Sequence, residues 1–66
     1  MGEFDVLISR LLEQREIAQQ SLGELQSGKR VIAIDGKDVT ENWIVIYDRI
    51  VRHTTTLIKQ YEARNT

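Results

Sequence analysis

The chain has 66 residues, one histidine, no cysteine and no proline. That length makes one domain near the lower limit for a self-sufficient core, and the composition excludes disulfides, thiolate metal sites and multi-histidine metal sites. Nine basic residues oppose ten acidic ones, a formal net charge of -1, without the basic excess of a domain that binds nucleic acid by itself.

The first ten residues, "MGEFDVLISR", open on acid rather than on the basic region of a signal peptide. Gly2 suits myristoylation only if Ser or Thr follows at position 6, and Val6 stands there. No apolar run approaches the ~18 residues of a membrane span. These features read as a soluble intracellular protein with no membrane association.

From Glu3 to Ser27 the apolar residues fall at helical spacing. Phe4, Leu7, Leu11, Ala18, Leu22 and Leu25 lie on one stripe, widened by Ile8, Leu12 and Ile17. Gln14 interrupts it and belongs at a rim or in an internal hydrogen bond. Glu3 and Asp5 stand where negative charge suits the start of a helix. Gly23 marks a weak point, a fraying end or a close backbone approach. Gly28 is the stop, because glycine readily takes the left-handed conformation that closes a helix.

The stretch "GKRVIAIDGKDVT" breaks the helical pattern. "RVIAID" is rich in β-branched residues, Asp35-Gly36 is a favoured two-residue hairpin turn, and "KDV" begins a return strand. Val31 and Ala33 would face one side and Ile32 and Ile34 the other, one side packing on the helices. Thr40 fits the N-cap of a second helix with Glu41 in its first turn.

From Glu41 to about Ala63 the predicted stripe is Trp43, Ile46, Ile50, Thr54, Leu57 and Tyr61, flanked by Tyr47, Val51 and Ile58. Arg49, Arg52 and Lys59 share another face, with Asp48 and Glu62 nearby, a pattern suited to solvent. The closing "ARNT" is expected to fray. The fold class is therefore α+β: helix 3–27, β-hairpin 29–39 and helix 41–63 in a single domain 1–66. The two helices, ~35 Å long at ~1.5 Å per residue, run antiparallel and the hairpin turns the chain.

Chemical equipment is sparse. Asp35 and Asp38 are explained by turn and hairpin chemistry, and an EF-hand loop needs about five donors across about twelve residues. His53 has the adjacent Thr54, Thr55 and Thr56, but no carboxylate beside it on the same helical face to orient it as a base. It reads as a rim or core histidine, and the threonines as tolerable in a helix if their hydroxyls bond back to the preceding turn. Phosphate-loop, dinucleotide and nucleophile-elbow motifs are missing. No catalytic, cofactor or metal residue is assigned, and an enzyme is not expected. Lys29, Arg30 and Lys37 form a small positive cluster around the hairpin, which suits a phosphate contact or simply a solubilised edge strand. Trp43 and Tyr47 are predicted core anchors of a type also common in binding hot spots.

The order of elements and the phrase "LQSGKRVIAIDGKDVT" resemble the small head–tail joining proteins of tailed bacteriophages, the lambda protein W type and its relatives in Gram-positive prophages. The similarity covers roughly Glu13 to Glu62 and is sharpest at Gly28, Lys29, Arg30 and Val31. The resemblance implies a non-enzymatic virion part, a helix–hairpin–helix monomer. Such a part docks in copies beneath the portal ring, helps retain packaged DNA, and carries the next connector. Its setting would be the virion connector or the bacterial host cytoplasm. Lys29, Arg30 and Val31 carry over as contact residues, with Lys37 beside them for a partner or a non-specific DNA backbone contact. The chain departs from the family in its extra apolar segment "FDVLISRLL" and in ending at Thr66 without a mobile tail. The alternative from patterning alone is a small homodimeric four-helix bundle acting as a regulator or antitoxin-like partner.

Overall fold

The computed structural model describes residues 2–65 and has the order α1 (Asp5–Gln26), β1 (Ala33–Ile34), β2 (Lys37–Asp38), α2 (Thr40–Arg64). The two helices pack antiparallel and the strands form a two-stranded antiparallel ribbon, Ala33 opposite Asp38 and Ile34 opposite Lys37. The α+β helix–hairpin–helix architecture is as expected. The molecule is a flat rod of 49 × 19 × 15 Å.

Local chemistry explains the boundaries. Gly28 takes φ 81° just past α1, and its amide donates to the Leu25 carbonyl while the Arg30 amide donates to that of Glu24. Two carbonyls left open at the helix end are thereby satisfied. Asp35 and Gly36 both adopt positive φ, 52° and 77°, the pair of left-handed residues that a type I′ turn requires. Gly23 neither frays nor meets another backbone: it sits inside α1, and a Cβ there would meet nothing within 4 Å.

Thr40 does not cap α2 through its side chain. It is the first helical residue, Val39 holds the cap position, and no side chain caps the helix there. The Thr40 hydroxyl is engaged elsewhere: it accepts from the Ile32 amide at 3.0 Å and donates to Asp38 Oδ1 at 2.6 Å. It fastens the base of the hairpin instead. Pairing is shorter than the 29–39 range predicted: the strands are Ala33–Ile34 and Lys37–Asp38, continued only by the Val39 amide donating to the Ile32 carbonyl at 2.9 Å. The hairpin also packs little: Val31, Ala33 and Ile34 are exposed, and only Ile32 and Val39 are partly covered.

The core lies between the helices. Ala18 and Leu25 of α1 and Thr54 and Ile58 of α2 are buried, with Phe4, Ile8, Leu11, Leu22, Ile44, Tyr47, Val51 and Tyr61 half-buried around them. On α2 the predicted stripe is rotated. Ile46 and Ile50 are 42% and 39% exposed, while the supposed flank residues Tyr47, Val51 and Ile58 face inward. Two neighbouring apolar rows compete on this helix, and spacing alone does not say which one meets α1.

The end of α2 does not fray through Asn65. Its side-chain oxygen accepts from the Phe4 amide at 3.0 Å and its Nδ2 donates to Asp5 at 2.8 Å. Phe4 packs on Tyr61 with ring centroids 5.1 Å apart. Thr66 of the closing segment lies outside the described residues.

Candidate interaction surfaces

Successive helical residues turn by about 100°, so the Arg15–Thr55 hydrogen bond of 3.3 Å orients the whole rod. It crosses one broad face, where Glu62 also lies and which Asp48 borders. The opposite broad face presents Leu7, Gln14 and Ser21 from α1 beside Ile46, Ile50 and Leu57 from α2. Between Trp43 and Leu57 its α2 half carries no Lys, Arg, Asp or Glu, while its α1 half carries the exposed Arg10 between Leu7 and Gln14. Depletion of charge at an apolar patch is characteristic of the centre of a protein interface. Trp43, half-buried and tilted against Tyr47 at 5.8 Å, closes its hairpin end.

The two narrow edges differ from both broad faces and from each other. The outer side of α1 carries Asp5, Glu13, Glu16 and Glu24, all exposed. The outer side of α2 carries Arg49, Arg52 and Lys59, also exposed, mixed with Glu41 and the half-buried Asp48, with Val45 and Thr56 between them. Arg52 is paired to Asp48 on its own helix at 3.1 Å, an exposed pair of small energetic weight. Val45, Asp48, Arg49, Arg52, His53 and Thr56 line an open hollow of ≈ 450 Å³ on this edge.

The contact residues read from the sequence sit at the hairpin end. Lys29 and Arg30 follow α1, Val31 is 64% exposed, and Lys37 lies in β2 opposite Ile34. All four are exposed on one end of the rod. At its base, Asp38 accepts from both the hydroxyl and the amide of Thr40, which holds its carboxyl below the ordinary value of 3.8.

His53 is exposed, neither core nor held by a carboxylate. The Thr55 and Thr56 hydroxyls donate to the carbonyls of Val51 and Arg52, the expected back-bonding. Gln14, left open between rim and interior, is exposed. Among the described residues no three of His, Cys, Asp and Glu gather where they could hold a metal ion, and no helix is long and apolar enough to cross a membrane.

Sequence reasoning missed the acidic outer edge of α1. Its signal was present, as four acids at helical spacing on one side of α1, but Arg10 and Arg15 hide it in the linear sequence. The chain matches no family model, and no curated protein or solved structure matches it.

Proposed function

We propose that the chain is a non-enzymatic assembly part, a head–tail joining adaptor that docks at a portal ring. The observation that carries the reading is surface the fold leaves uncovered, Ile46 and Ile50 among it at 42% and 39% exposure. The chain exposes 5232 Å², whereas a compact monomer of 7.7 kDa exposes about 4,300 Å². The surplus of about 900 Å² matches the roughly 800 Å² that one partner contributes to a standard interface. The apolar patch of the broad face around Ile46 and Ile50 supplies the docking surface. The projecting hairpin, with Lys29, Arg30, Val31 and Lys37, supplies the second contact, to the next connector or to the DNA backbone.

Co-sedimentation with portal rings encoded in the same genome tests this reading. The wild-type chain should pellet with the rings, and Ile46→Asp with Ile50→Asp should abolish pelleting while helicity persists. A wild-type chain that stays in the supernatant overturns it.

The same apolar patch favours a second reading, a homodimeric four-helix bundle. There the face would be self-complementary, and stability would depend on protein concentration.

A further inference from the structure

We infer that a second copy of this chain covers the broad face around Ile46 and Ile50. The two rods lie antiparallel about a two-fold axis at the level of Ile17 and His53, α1 against α1 and α2 against α2. The pairing rests on the adaptor reading only for its consequence: the surface assigned to portal docking is closed while two free chains are joined.

The occupant is a second copy because one axis satisfies both helices at once. Two hydrogen bonds between the ends of the chain, Arg15 to Thr55 and Phe4 to Asn65, set residues level when their numbers add to about 70. Ile17 of α1 and His53 of α2 therefore stand at the same height. Arg10, Ile17 and Glu24 are spaced by seven, two turns with a drift of about 20° each time, and form one row along the outer margin of the face. Turning the rod over about the Ile17 level brings Arg10 opposite the other copy's Glu24, and Glu24 opposite its Arg10. Ile17, 64% exposed, meets itself. On α2 the same operation sets Ile50 opposite Leu57 and Leu57 opposite Ile50. Trp43 comes opposite Arg64, whose guanidinium already lies over the Tyr61 ring at 6.0 Å, so a second aromatic ring is offered to the same cation.

The contact is isologous: both copies use the same patch, so it closes at two and does not propagate. It is not a bundle with a shared core, because Ala18, Leu25, Thr54 and Ile58 are buried within one chain. Ile46 and Ile50 are already more than half covered in that chain, so pairing adds little burial at each. The association is accordingly weak, a matter of millimolar rather than micromolar protein, and its charged pairs weaken further with salt.

Sedimentation equilibrium at millimolar protein and low salt should show monomer and dimer and nothing larger. Arg10→Glu and Glu24→Arg, each alone, should weaken dimerisation roughly tenfold, because both opposed pairs become like charges. The two changes in one chain should restore it, and so should mixing the two single variants, since every opposed pair is then again of unlike sign. Circular dichroism confirms that every variant remains helical; for any that does not, Arg10→Gln and Glu24→Gln replace the reversals, with a smaller loss expected. The chain lacks cysteine, so Ile17→Cys places one thiol at the axis. A short bis-maleimide should join that variant into dimers and leave Gln19→Cys, on the opposite broad face, monomeric. The joined dimer should stay in the supernatant when portal rings are pelleted. A chain still monomeric at millimolar concentration overturns the inference. So do species beyond dimer, a dimer indifferent to charge reversal, equal joining of Gln19→Cys, or a joined dimer that pellets with the rings. A chain that pellets with the portal but never dimerises loses only the self-contact, and one that dimerises but ignores the portal loses only the adaptor reading.

Discussion

The two ends of the rod are fastened by opposite means. At the hairpin end, Thr40 ties Ile32 and Asp38 together across sequence separations of 8 and 2 residues. At the other end, Asn65 ties Phe4 and Asp5 across separations of 61 and 60 residues, with the Phe4 ring tilted against Tyr61. Closing the longer loop costs about 2 kcal/mol more in chain entropy. The hairpin can form from its own residues, whereas the clasp exists only once the helices have already packed. The hairpin is accordingly a local unit carried on the rod, and the clasp reports on the whole fold.

Breaking the helix packing should have the largest effect. Ile58→Ala, at a buried core position, is expected to cost about 2–5 kcal/mol, measured by urea unfolding, and should release the clasp together with the core. Asn65→Ala comes next at about 1–2 kcal/mol, because it removes both an acceptor and a donor. Amide exchange should accelerate at the start of α1 and the end of α2 and stay unchanged in the hairpin. Gly36→Ala forces a side chain onto φ 77° and should cost about 1 kcal/mol. Its effect belongs to the hairpin alone, so helicity should persist while the Asp38 and Lys37 resonances shift. Faster exchange at Phe4 in that variant would contradict the independence of the two ends.

The smallest effect is acid loosening of the hairpin base. Asp38 has its carboxyl lowered by the Thr40 bonds. Its contribution is therefore fully present above the ordinary value of 3.8 and is lost as pH falls through the lower folded-state value. The Thr40 amide signal should move across that acidic window, and Asp38→Asn should abolish the transition.

The same contrast explains what could be read in the sequence. The Asp35-Gly36 turn, the Gly28 stop and the threonine back-bonding depend on residues a few positions apart, and they were legible. The clasp was not, because nothing in "ARNT" names a partner sixty residues away. Thr40 was assigned to the wrong local job, since capping and hairpin closure ask for the same hydroxyl. The inward row of α2 was misjudged because Ile46 and Ile50 keep perfect helical spacing while facing out. For the candidate site, Lys29, Arg30, Val31 and Lys37 were placeable on the hairpin end, but the apolar broad face around Ile46 and Ile50 and the acidic outer edge of α1 required the relative rotation of the helices.

Sedimentation equilibrium with parallel circular dichroism, from dilute to tens of micromolar, tests most directly whether this rod is a self-sufficient part with surface left over for partners. The account predicts a monomer of unchanged helicity across that range. A dimer that loses helicity on dilution would contradict it, and would mean that the core is shared between two chains in a four-helix bundle.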